Sequence, residues 1–364
     1  MRSKTWLIKN SIDDNKLSPN ANNLTLVRIA LASAVIYSHA FYPREHFDNF
    51  KEFLGTPISW LAVDGFFALS GFLVYRSLER SQSLLHYTLS RFSRIWPGIA
   101  AMAIVVTLLG LLYTTLPLRG YLLGTETKNF IIRNFLLLGY YNLSGIDCAT
   151  SPCVINGSLW TIPWEIRCYI ILGALFLVGL FSRKAMLSVV LPATALFAVF
   201  YDIPVVHTTL AHLLGSKMYF LDQIDRLWTA FAIGIAAYLL RARLPISWAI
   251  AVLLAGIALL ARDTVFAAHV RTIAIIYLAL CCGFKTGNLS ARWPDYSFGL
   301  YIYGMPVMMA LILSGLNASP PILALITFLS TLPVAALSWH LIEHPALKLG
   351  KLGTRRFVSP KTQP

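Results

Sequence analysis

Long apolar stretches broken by short polar or basic connectors run along this chain. Their lengths predict about ten membrane-crossing helices, at 24–42, 57–76, 94–115, 160–181, 185–201, 222–240, 246–261, 265–283, 296–315 and 321–342. The connector between 246–261 and 265–283 is so short that these two segments predict a helical hairpin. The only large loop is the stretch of about 116–158. Its Asn129–Tyr141 part is amphipathic, as expected of a segment lying on a membrane surface. Met1–Asn23 is polar and has no apolar core followed by a small-residue cleavage site, so no cleavable signal is expected. The expected organisation is a cytoplasmic N-terminal segment 1–23, a transmembrane domain 24–350 and a cytoplasmic tail 351–364.

Composition agrees with this pattern. Of 364 residues, 57% are hydrophobic and 13% are charged, with a mean hydropathy of +0.66. A soluble domain carries about 25% charged residues, so the chain is expected to be an all-α, multi-pass integral membrane protein forming one bundle. Its net charge of +14 does not indicate nucleic acid, because the basic residues sit in short clusters between apolar stretches. With the N-terminus inside, the inner connectors hold Arg76, Arg80, Arg91, Arg94, Arg183, Lys184, Arg241 and Arg243, and both polar ends add more. The outer connectors, with Arg44, Lys51, Arg119, Lys128 and Arg133 among them, hold about half as many, which predicts both termini in the cytoplasm. No repeats are evident.

Five cysteines are present. Cys148 and Cys153 lie close together in the outer loop and predict either a small disulfide loop or two free thiols. No second cysteine or histidine pair is nearby, so no metal site is expected there. Cys168, Cys281 and Cys282 lie in apolar runs and read as small core residues.

The chemistry lies in the ionisable residues inside apolar segments, where they are costly. The first segment carries Arg28 and His39. Their spacing is about 1100° of helical rotation, which puts both on one face about 16 Å apart along the axis. Asp64 falls in the outer half of the second segment, and Glu165 falls just inside the outer boundary of the fourth. Arg91 and Arg94, three residues apart at the inner boundary, share one face of a helical start. The pattern is a cationic inner layer (Arg28, Arg91, Arg94) and an acid/base outer layer (His39, Asp64, Glu165). Guanidinium groups suit a phosphate-bearing cofactor. A histidine beside a carboxylate suits general-base or nucleophilic chemistry on a hydroxyl. Together these point to acyl transfer from an inside donor to an outside acceptor.

Each residue also has a plainer reading. His39 fits a helix-end histidine wetted by the interface, and Arg28 fits a side chain that snorkels to the inner surface. Arg91 and Arg94 fit ordinary topology determinants. Asp64 fits a helix N-terminal acid or a structural ion-pair partner, and Glu165 fits a hydrogen-bond partner for the helix break at Pro163. Ser70 reads as a packing residue in a small-residue run with Gly65 and Gly71. Glu343 and His344 read as the end of the last helix before Pro345. Trp60, Trp160 and Trp164 read as interface anchors.

Four stretches in this order resemble the membrane-bound acyltransferase-3 family, bacterial O-acetyltransferases of surface glycans. They are Leu26-Val27-Arg28 with Ser38-His39-Ala40-Phe41, then Val63-Asp64-Gly65-Phe66-Phe67-Ala68-Leu69-Ser70-Gly71-Phe72-Leu73, then Arg91-Phe92-Ser93-Arg94-Ile95-Trp96-Pro97, and finally Ser158-Leu159-Trp160-Thr161-Ile162-Pro163-Trp164-Glu165. The tail Leu341-Ile342-Glu343-His344-Pro345 resembles the ending of the family's last helix. Two departures are Arg167-Cys168 after Glu165 and a single spaced arginine pair in place of a longer basic run. The resemblance implies about ten spans in a bacterial plasma (inner) membrane. It implies an acyl-coenzyme A donor, usually acetyl-CoA, taken from the cytoplasm; the cysteine and histidine spacing gives no expectation of a metal. It implies a sugar hydroxyl of a surface polysaccharide or lipid-linked glycan as acceptor, with membrane lipids around the protein. His39 would be the catalytic residue, either removing a proton or carrying the acyl group. Asp64 and Glu165 would be supporting acids, and Arg28, Arg91 and Arg94 would contact the donor. The alternative class is a secondary transporter or flippase of an anionic or glycan solute, which needs no base at His39. A transporter would usually show repeats with interrupted helices in both halves, and the sequence shows none.

Overall fold

The computed structural model describes residues 12–41, 52–53, 55–148, 153–290 and 292–357. Arg44 and Lys51 of the expected outer connectors lie outside the described residues, as do Arg2, Lys4, Lys9 and Lys361. The chain is built from helices. They include α1 (Leu24–His39), α2 (Ile58–Ser81), α3 (Leu84–Gly110), α4 (Thr125–Phe135), α5 (Ile162–Leu177), α6 (Leu191–Tyr201), α7 (Pro204–Leu214), α8 (Thr229–Leu239), α9 (Trp248–Leu260), α10 (Ala267–Lys285), α11 (Ser297–Leu313), α12 (Pro320–Ser338) and α13 (His344–Phe357). Single π-turns at Met186–Val190, Ile224–Trp228 and Trp339–Glu343 lead into α6, α8 and α13. A two-residue antiparallel ribbon pairs Glu52 with Pro57 and Phe53 with Thr56.

Every expected apolar segment contains a helix. Among the described residues, six helical stretches are long and apolar enough to cross a membrane: Ile58–Ser81, Leu84–Gly110, Gly157–Leu177, Arg183–Tyr201, Ala267–Lys285 and Pro320–Leu352. Leu24–His39, Trp248–Leu260 and Ser297–Leu313 are apolar but shorter. The hairpin expected at 246–261 and 265–283 is present as α9 and α10, which pack together. The amphipathic stretch Asn129–Tyr141 is helical only through Phe135, and Phe130 is fully buried.

Two expectations are corrected. α3 starts at Leu84 rather than 94, capped by the Ser83 hydroxyl, which accepts from the His86 amide at 3.3 Å. Arg91 and Arg94 therefore lie inside a long helix and not at its start. The last helix does not stop before Pro345. The π-turn Trp339–Glu343 widens the backbone just ahead of the proline, where an ordinary turn would need the bond that proline cannot donate. The chain then continues helical to Phe357.

The chain forms two compact units. The first comprises Met1–Leu31, Lys51–Arg76 and Trp164–Trp293, and the second comprises Ala32–Phe50, Ser77–Pro163 and Pro294–Pro364. In the first unit α2 and α8 cross with their backbones almost touching. A Cβ at Gly71 would collide with the Phe231 carbonyl, and one at Gly234 with the Ala68 carbonyl. Only hydrogen side chains fit there, which gives the small-residue run its packing role. Phe72 and Tyr75 of α2 meet Tyr238, Phe181 and Phe284 in an aromatic cluster beside that crossing. In the second unit α11 packs on α12 with Gly299 against Ala335. Asn156, fully buried, donates to the Ile302 carbonyl at 2.8 Å and pins the segment before α5 to α11. Cys148 and Cys153 are joined by a disulfide, the first of the two readings of that pair.

Candidate functional site

The N-terminal end of α1 is held by Asn23. Its side chain donates to the Thr286 hydroxyl at 2.8 Å and its amide donates to the Gly283 carbonyl at 2.8 Å. Arg28, half-buried, lies little more than a turn further on and belongs to the first unit. The same helix ends at His39, half-buried in the second unit and following the fully buried Ser38. One turn before His39, Ile36 abuts Gly304 of α11, so that end of α1 is seated on α11. One unbroken helix therefore carries both residues, as the spacing predicts.

Asp64 is buried in α2 and locked in an ion pair. Arg226 Nε donates to its Oδ1 at 2.8 Å, and the Thr272 hydroxyl donates to Oδ2 at 3.4 Å. Arg226 also donates to the Trp60 carbonyl at 2.9 Å and stacks on the Trp60 ring, 4.2 Å from its centroid. A buried carboxylate needs such company, because an unpaired charge in an apolar interior costs several kcal/mol. Sequence reading missed Arg226 because nothing in the spacing links it to Asp64.

Glu165, in the first turn of α5, has different surroundings. The Tyr169 hydroxyl donates to its Oε1, and the Ser70 hydroxyl lies 3.5 Å from the same oxygen. Both described partners are hydroxyls. Trp164 beside it is buried rather than an interface anchor, with Phe220 at 5.2 Å and the Arg167 guanidinium 4.2 Å above its ring. Asp64 and Glu165, expected in one acid/base layer, are met by different side chains: Arg226 and Thr272 at Asp64, Tyr169 and Ser70 at Glu165.

In the second unit Arg94 sits among acids. Its Nη2 is 2.9 Å from Asp295 and its Nη1 is 3.9 Å from the buried Glu343. The rings of Phe298 and Trp339 lie 5.5 and 5.8 Å from the guanidinium carbon. Glu343 also accepts from Ser338 at 3.0 Å. Glu343 is thus part of a buried charge network and not a helix end. Arg91, one turn earlier on α3, is half-buried, and its Nε lies 3.4 Å from the Ser90 hydroxyl. Arg94 meets carboxylates from the loop before α11 and from the π-turn Trp339–Glu343.

A family described as an acyltransferase domain matches residues 22–340. The chain belongs to the acyltransferase-3 family. It is an acyltransferase and a multi-pass membrane protein. It is 26% identical over 346 residues to an O-acetyl transferase of Shigella phage Sf6, covering 89% of this chain and 95% of that one. It is 28% identical over 360 residues to Nodulation protein 10 of Rhizobium leguminosarum bv. viciae, covering 91% and 95%. A shorter match, 28% over 153 residues, is to the peptidoglycan O-acetyltransferase OatA of Listeria monocytogenes and covers 40% of this chain and 24% of that protein. No solved structure matches the chain.

Proposed function

We propose that this acyltransferase moves an acetyl group from cytoplasmic acetyl-CoA to a sugar hydroxyl of a surface polysaccharide or lipid-linked glycan. The proposed setting is a bacterial inner membrane with both termini in the cytoplasm. Family membership and two O-acetyltransferase relatives support the reaction class. The observation that carries the residue assignment is the single helix α1, with a guanidinium near its N-terminal start and an imidazole at its C-terminal end.

His39 is the catalytic base in this reading. Its imidazole takes the proton of the acceptor hydroxyl as the oxygen attacks the acyl carbon. A C–O ester bond forms, the donor's C–S bond breaks, and the proton passes to the departing thiolate. The donor supplies the activated thioester, and the protein supplies position and a proton acceptor, worth about 10²–10⁴ in rate. Arg28 and Arg91 are proposed to meet the donor's phosphates. Arg94 shares this role while held by Asp295 and Glu343, and those acids set its position. Glu165 is the supporting acid, and Asp64 supports the site through Arg226.

The test is purified protein in lipid vesicles with labelled acetyl-CoA and a glycan acceptor. The reading predicts free coenzyme and label on the acceptor. Movement of the acceptor across the bilayer with the thioester intact would favour a flippase instead. Arg91→Ala should raise the KM for acetyl-CoA about tenfold with little change in acceptor KM. The opposite pattern would remove the arginines from the donor site.

A further inference from the structure

Within the first unit, Asp202, Asp225 and His269 come together from separate helices: Asp202 from the end of α6, Asp225 from the π-turn Ile224–Trp228, and His269 from the first turn of α10. One ligand atom from each lies within 4.8 Å of the other two. His269 Nε2 is 3.1 Å from Asp202 Oδ2 and 3.4 Å from Asp225 Oδ2. Nε2 is thus within ion-pair reach of both carboxylates, converging on the same point as their oxygens. The Asp225 side chain is 9% exposed, and its other oxygen, Oδ1, is buried with no hydrogen-bond partner.

The distances fit a shared ion. Donor atoms about 2.1 Å from a zinc-class cation stand about 3.4 Å apart in a tetrahedron and about 3.0 Å apart in an octahedron. Those values bracket the two observed separations. One imidazole and two carboxylates favour a divalent transition metal over calcium, which takes six to eight oxygen ligands. The π-turn that carries Asp225 is a feature often found at functional sites. It also presents Arg226, which is committed to Asp64, so adjacent residues serve two different sites.

We propose that Asp202, Asp225 and His269 bind one divalent transition-metal ion of the zinc class, which ties together the ends of α6, α8 and α10. The proposal does not depend on the acyl-transfer reading. The expectation of no metal arose from cysteine and histidine spacing, which says nothing about three residues so far apart in sequence. Asp222 lies nearby but faces Tyr201 at 2.7 Å and His207 at 3.3 Å, so His207 serves as a control.

The full chain in detergent, stripped with a chelator and dialysed, is titrated with Zn²⁺ by equilibrium dialysis and scanned for thermal unfolding. The expected result is one ion per chain and a midpoint that rises with free Zn²⁺, as for any ligand that binds only the folded state. Asp225→Asn and His269→Gln should each weaken binding by about 100-fold or more, at or beyond the 10–100-fold loss seen when second-shell partners of a metal are removed. His207→Ala should leave binding unchanged. If His269→Gln does not fold, Asp202→Asn carries the same expectation. Absence of stoichiometric Zn²⁺ binding in the unmodified chain would overturn the proposal. So would binding that survives the ligand substitutions, or a preference for Ca²⁺ over Zn²⁺.

Discussion

Asp64 and Glu165 are two carboxylates of one compact unit, each near the start of a helix, and they are held in opposite ways. Asp64 is buried against a guanidinium that also stacks on a tryptophan. Glu165 is half-buried and met by two hydroxyls. An arginine partner fixes a carboxylate as an anion and ties up its lone pairs in a charge-assisted bond. Hydroxyl partners orient a carboxylate without cancelling its charge, so it can still act on a nearby proton or cation. In the proposed reading Asp64 holds the helices and Glu165 supports the chemistry, and the variants below separate the two roles.

The largest effect is expected at the ion pair. Asp64→Ala strands Arg226 in a buried position and should cost about 3–5 kcal/mol of stability, read by denaturation in detergent. The paired substitution Asp64→Leu with Arg226→Met should recover most of that loss. If the recovered protein turns over normally, Asp64 is structural, whereas loss of turnover in a stable protein would make it part of the chemistry. Glu165→Gln comes next. It keeps the shape and removes the charge, and it should lower kcat about 100-fold, near 2.7 kcal/mol in barrier, with an unchanged melting midpoint. An unaffected kcat would erase the distinction between the two acids. Gly71→Ala, at the crossing of α2 and α8, should cost about 1–3 kcal/mol because the Phe231 backbone cannot move aside. Ser70→Ala is expected to be smallest, at most about 1 kcal/mol, with kcat falling a few-fold through a less fixed Glu165.

The sequence revealed the apolar segments, because span length and hydropathy are local properties. It also showed Arg28 and His39 on one helix, since helical periodicity links residues a few turns apart. It did not show who pairs with whom. Asp64 meets Arg226 and Arg94 meets Asp295 and Glu343 only through tertiary packing. The same is true of Asp202, Asp225 and His269. Pro345 misled for a different reason. Proline normally marks a helix end, but a π-turn just before it lets the helix continue. Trp164 reads as an interface anchor in sequence because aromatic position alone does not distinguish a belt residue from one buried against Phe220 and Arg167.

The most direct measurement of the central claim compares the unmodified chain with His39→Ala, reconstituted equally and supplied with labelled acetyl-CoA and a glycan acceptor. The account predicts that the variant inserts and melts like the parent but transfers no acetyl above background. Acetylation at the parental rate by the folded variant would contradict it.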